Sequence, residues 1–119
     1  MFDPMECMAG WAAGILGVPV RTYPTPDSGD VLFCVIERTG GDVDYPHDWP
    51  EVSLQAWART DEAAETAAYL LAIAARNENG PNDTHVLDVG VPSMYSYGRE
   101  DGGWYIWQVT MKLACNLID

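Results

Sequence analysis

Apolar positions recur with two different periods along this chain, and the switches between them mark its elements. Residues 3–16 follow the helical period, with Met8, Trp11, Ala12, Ile15 and Leu16 on one face. Asp3 stands where an N-cap belongs, Pro4 suits the first helical position, and Glu6 completes a capping box. Gly17 is a natural stop. Gly10 and Gly14 each weaken this helix by about 1 kcal/mol relative to Ala, so it needs packing to persist. Pro19, Pro24 and Pro26, then Asp27-Ser28-Gly29, predict an extended connection over residues 18–30 that ends in a turn.

Residues 31–36 are apolar on both faces and β-branched, which suits a central strand covered on both sides. Gly40-Gly41 is expected to end it. An acidic loop is expected over residues 42–50, holding Asp42, Asp44, His47 and Asp48, with Trp49 beside them and Pro46 and Pro50 as breakers. From residue 52 the period becomes two. Val52, Leu54, Ala56 and Ala58 share one face, and Ser53, Gln55, Trp57 and Arg59 share a wetter one.

The helical period returns over residues 61–76, capped by Thr60 or Asp61, with Glu62 and Glu65 favouring the N-terminal dipole. Its apolar stripe is Ala64, Ala67, Ala68, Leu71, Ala74 and Ala75, small enough for close packing on a sheet. Gly80-Pro81 prevents continuation. Residues 86–91 predict a short strand, and residues 92–103, rich in Tyr, Ser and Gly, a loop. The longest alternating run is 104–117. Tyr105, Trp107, Val109, Met111, Leu113, Cys115 and Leu117 share one face, and Gln108, Thr110, Lys112 and Asn116 the other. Such a strand exceeds the usual length of about 5–6 residues, so it must bend, overhang or pair with another chain. Together these elements predict an α+β fold. A small, mostly antiparallel sheet of about four strands packs with two helices, the N-terminal one and the Ala-rich central one.

The 119 residues suit a single domain, 1–119. A chain of this size buries roughly two thirds of its unfolded surface, so one core forms without staples. Five Trp and six Tyr are many to hide in one subunit, which points to aromatic residues at an interface. The net charge of −12 disfavours phosphate-tracking and anionic membrane surfaces. It suits a basic partner, or a surface that repels DNA. Cys7, Cys34 and Cys115 have neither an even count nor metal-ligand spacing, so free thiols in a reducing compartment are expected. The first residues carry Asp3 and Glu6 and no cation, unlike a signal peptide, and no apolar run reaches membrane-span length. The expectation is a soluble protein that is not secreted.

Candidate chemistry is sparse. Asp44, His47 and Asp48, or Asp83, His85 and Asp88, offer metal donors without a recognised spacing. The cysteines lie in apolar runs, where no electropositive setting activates them. No G-x-S-x-G, G-x-G-x-x-G or Walker-type loop occurs, and Gly40-Gly41 reads as turn chemistry. Carboxylate pairs such as Glu62 and Glu65 arise by chance in so acidic a chain. Trp104, Tyr105 and Trp107 could stack on bases, but only Arg99 and Lys112 are near them, whereas stacking platforms sit in basic grooves. These residues lead to no enzyme, no metal and no cofactor.

The order of elements resembles the tail terminator (minor tail, tail-completion) proteins of long-tailed bacteriophages. The likeness rests on the N-terminal helix and the first strand ending in Arg38-Thr39-Gly40-Gly41. It continues through the second strand ending in Gln55-Ala56-Trp57-Ala58-Arg59, the helix opening Glu62-Ala-Ala-Glu-Thr-Ala-Ala68, and the late aromatic strand. It covers most of residues 3–117 and is one of pattern, without a catalytic signature. It implies a structural virion protein that forms a six-membered ring on the finished tail tube. That ring stops polymerisation and meets the head-completion or connector protein at the head-proximal end of the tail. Its lumen would pass DNA without specific binding, and assembly would take place in the host cytoplasm. On this reading the assembly contacts are sought at Asp42, Asp44, His47, Asp48, Trp49, Trp57, Arg59, Trp104 and Trp107. Two other readings remain open: another head–tail joining protein, and an acidic binding protein that mimics DNA.

Overall fold

Both helices form where their caps place them. In the computed structural model, which describes residues 1–77 and 80–119, α1 spans Pro4–Leu16. The Asp3 carboxylate accepts from the Met5 and Glu6 backbone N–H groups at 3.0 and 3.2 Å, satisfying two of the donors that a helix start leaves orphaned. Gly17 closes the helix in the left-handed region at φ 65°. The second helix, α2, spans Asp61–Arg76, and the Thr60 hydroxyl accepts from Ala63 N at 3.1 Å. Ala64, Ala67, Ala68, Leu71 and Ala75 are buried along one stripe, while Ala74 is half-buried. A stripe of alanines brings the helix backbone close to the sheet.

The sheet exceeds the expected size. Among the described residues it has six strands: β1 Val20–Arg21, β2 Leu32–Asp44, β3 His47–Ala58, β4 Val86–Val89, β5 Ser93–Glu100 and β6 Trp104–Asn116. The order is β1-β2-β3-β6, with β4 and β5 end to end on the far side of β6. All pairings are antiparallel except β1 with β2. Two strands form where loops were expected. β1 arises inside the proline-rich connection, where Cys34 N donates to Pro19 O at 2.9 Å. β5 arises in the Tyr/Ser/Gly stretch, because β6 offers it a full edge from Trp104 to Thr110.

The expected acidic loop is also a strand pair. β2 runs on through Gly40-Gly41 to Asp44, turns at Tyr45-Pro46 through a cis peptide bond, and returns as β3. Gly40-Gly41 therefore sits inside a strand, just past a bulge between Arg38 and Gly40. Pro50 has no N–H for the ladder. Arg38 supplies donors there: its Nε gives to Gly40 O at 3.0 Å and its Nη2 to Gly41 O at 3.3 Å.

The long β6 is paired within the chain along both of its sides. β3 pairs along one side of it, and β5 followed by β4 along the other. The alternation read from the sequence then sorts the two faces. Cys34, Ile36, Val52, Leu54, Ala56, Val109, Met111, Leu113 and Cys115 form the main core with Met8, Ala12 and the α2 stripe. The opposite face carries a second cluster, Phe33, Val35, Trp57, Trp104 and Ile106. Phe33 to Ile36 are thus covered on both faces as expected, whereas Leu32 is half-buried and Val31 is exposed and precedes the strand.

Candidate assembly surface

Three surfaces carry the candidate residues or exposed apolar side chains: the far end of the β2–β3 hairpin, the sheet face away from the helices, and the outer side of α2. At the hairpin end, residues directly opposite share a face. Asp42 faces Trp49, and Asp44 faces His47. These four therefore lie together on the sheet face away from the helices. All are exposed, and the His47 and Trp49 rings are 5.8 Å apart. Asp48 has the opposite parity and lies on the helix side, only 4% exposed. Its carboxylate accepts two bonds from the Arg38 guanidinium, each 2.9 Å. Asp48 is thus removed from the outward-facing set, because a fork-shaped ion pair holds it inside.

Of the aromatic candidates, Trp57 was expected on the wetter face but is only 8% exposed. Phe33 stacks on it at 5.3 Å and Trp104 meets it edge-on at 6.3 Å, so strands before and after it in sequence supply its cover. Trp104 is buried, 1% exposed, beneath the Arg59 guanidinium, which stacks 3.9 Å from the ring and donates to Gly102 O at 2.5 Å. Arg59 is exposed, yet it spans the β3 end and the β5–β6 turn. Trp107 is half-buried at the core margin, and its indole N–H donates to Asp61 at 2.9 Å. Trp57, Trp104 and Asp48 are accordingly packing residues. Asp42, Asp44, His47 and Trp49 remain on the surface.

Next to the aromatic cluster, the same sheet face carries a polar row that periodicity did not single out. The Trp57 indole donates to Gln55 Oε1 at 3.1 Å, and Gln55 Nε2 donates to Gln108 Oε1 at 3.2 Å. Gln108 Nε2 donates in turn to Thr110 at 3.1 Å and to the Tyr95 hydroxyl. Gln108 and Ser53 are buried. Every described buried side-chain polar atom has a partner, so this row specifies strand register rather than offering a vacant binding group. The signal was the parity of Gln55 and Gln108, which register places side by side.

On α2, Tyr69, Leu70 and Ile73 project away from the core and are 53%, 48% and 55% exposed. With Thr66 they follow helical spacing on the side opposite the buried stripe. Beside them, Ile15, Leu16, Leu32, Ala63 and Leu70 line a groove of about 460 Å³ between the two helices.

The thiols are set apart from chemistry. Burial pushes Cys34 up to about 12, and burial, followed by the Asp48 charge, pushes Cys115 up to about 12. Cys7 is raised by partial burial and then by Asp83. Alkylation of the native protein near pH 8 is therefore expected to label Cys7 slowly, and Cys34 and Cys115 only after unfolding. Rapid labelling of Cys34 in folded protein, read by peptide mass, would contradict that burial.

Asp83 accepts from the His85 backbone N–H at 2.9 Å and lies 2.8 Å from its ring, and these bonds hold its carboxyl below the usual range. Phe2 stacks flat on that ring at 4.5 Å. Among the described residues no group of three or more His, Cys, Asp or Glu side chains is placed to hold a metal ion. No described helix is long and apolar enough to cross a membrane. In comparisons with known proteins, no family model and no curated protein matches this chain.

Proposed function

We propose that this chain is a structural assembly protein of the tail terminator kind. It forms a homo-oligomeric ring, a hexamer by the resemblance, that caps a phage tail tube, stops its polymerisation and meets the head connector. The observation that carries the self-association is the second apolar side of α2. A helix whose buried stripe already faces a core has no packing reason to expose Tyr69, Leu70 and Ile73 together. A neighbouring subunit would cover them. The acid-rich hairpin end, with Asp42, Asp44, His47 and Trp49, is then free for a tube or connector protein, and the net charge of −12 suits a lumen that DNA crosses without sticking.

Light scattering over a range of concentrations tests this. The wild-type chain is expected to rise from a 13.1 kDa monomer to a defined multiple, visible as rings by electron microscopy. Leu70→Glu with Ile73→Glu is expected to hold it as a folded monomer, because charges there cannot be desolvated cheaply. A strict monomer at all concentrations, with or without tube protein, would sink the proposal. Tight binding of that monomer to a nuclease or polymerase would support an acidic inhibitor instead.

A further inference from the structure

The outer edge of β2 is only partly paired. β1 covers it at Cys34 and Val35 and then leaves. From Glu37 to Asp44 no described strand lies on that side, although β3 pairs the inner side throughout. In an antiparallel ladder alternate residues turn their N–H and C=O groups away from the partner, so this stretch presents unpaired backbone outward. Arg38 already occupies the Gly40 and Gly41 carbonyls. The open groups are those on either side of that glycine pair.

A groove of about 480 Å³ runs between α1 and this same edge. Met5, Ala9, Val20 and Ile36 line it together with Asp3 and Glu6 of α1, while the Glu37 side chain, opposite Ser53, lies on the other face of the sheet toward Tyr97. Among the described residues that line it the one cation, Arg38, is committed to Asp48. Farther along, Asp42 and Asp44 add exposed carboxylates. An open edge and an apolar groove thus meet in a negative field.

We propose that this edge takes an extended, basic segment of another protein, added as a strand beside β2. An apolar side chain of that segment sits in the groove, and its neighbouring Lys or Arg residues, turned to the other face of the sheet, meet Glu37, Asp42 and Asp44. Backbone pairing supplies affinity and the groove supplies selection, as in strand addition generally. A second copy of this chain is a poor occupant. Its six cations, Arg21, Arg38, Arg59, Arg76, Arg99 and Lys112, are scattered singly, and its net charge is −12, so like charges would face each other. The inference stands for a monomer as for a ring.

The test uses the full chain and a labelled peptide of about ten residues alternating Lys with Val. A control peptide has the same composition but a central Pro that prevents strand pairing. Expected are saturable binding by the first peptide and slowed amide exchange confined to residues 37–44. Glu37→Lys with Asp42→Lys, which lie on one face, should weaken binding about tenfold or more. Glu62→Lys with Glu100→Lys, the same change in net charge placed elsewhere, should leave most of it. Equal binding of the Pro peptide would mean diffuse attraction and overturn the proposal. So would protection appearing on β5 instead, equal loss in both charge variants, or no binding at all. Oligomeric mass recorded on the same samples separates this result from the fate of the ring.

Discussion

Gly41→Ala is expected to destabilise the protein by about 3 kcal/mol or more, while Gly40→Ala next to it stays within about 0.5 kcal/mol of wild type. Gly41 has φ 101°, a conformation that side chains rarely adopt. A Cβ there would lie 2.0 Å from the Trp49 carbonyl oxygen and 2.9 Å from Glu51 N and Pro50 Cα. All three are backbone atoms of the paired strand, so no rotamer change relieves the contact. The hairpin must part at Gly41↔Pro50 and Asp42↔Trp49, or the residue must leave its conformation. At Gly40 an added Cβ meets nothing within 4 Å. Thermal melts check the contrast: roughly a 10 °C or greater drop for one and little change for the other. Melting points within about 2 °C of each other would show that the hairpin is not held as described.

Arg38→Met is expected to cost about 2–4 kcal/mol, and a second change, Asp48→Leu, to recover much of it. The reason is asymmetry. Asp48 is nearly fully buried and both its oxygens rest on Arg38. Removing the guanidinium strands a charge in the interior and also withdraws donors from Gly40 O and Gly41 O. Removing both charges leaves an apolar contact and only the carbonyl loss. A chemical-denaturation double-mutant cycle should give a coupling above about 1 kcal/mol. Additive effects would mean that the pair contributes no more than a surface ion pair.

These two sites lie in the part of the chain that the sequence pattern misjudged. Gly40-Gly41, Pro46 and Pro50 are ordinary breakers, and residues 42–50 contain little β-branched character. What overrides them is tertiary: a side chain from β2 replaces ladder donors that proline lacks, and β6 flanks β3 as far as His47↔Asn116. β5 was hidden for a related reason. Ser93–Glu100 is half-buried at best, so no alternation marks it, and its existence depends on the edge offered by β6. The helices were legible because their caps are local chemistry, with Asp3, Gly17 and Thr60 acting within a turn of themselves.

Parity was legible within β3 and β6, but what covers each face was not. Trp57 lies on the face that alternation assigned, yet Phe33 and Trp104 close over it from distant strands. Among the surface candidates, Asp42, Asp44, His47 and Trp49 emerge as one co-facial group. Asp48 leaves that group because residues 47–50 are strand, where neighbours point opposite ways, and because the Arg38 guanidinium holds it on the helix side.

The position of β6 has a consequence during synthesis. It lies between β3 and the β4–β5 pair, yet it is the last of the described strands to leave the ribosome. At about 5–20 residues per second, roughly 3–12 s separate the emergence of Ala58 from that of Asn116. Throughout that interval β3 has its hairpin partner on one side and a naked edge on the other, with Val52, Leu54 and Ala56 still lacking their β6 neighbours Met111, Val109 and Trp107. Nascent chains on one messenger are therefore most exposed to chaperones, and to each other, along this interior strand rather than along any edge of the finished molecule.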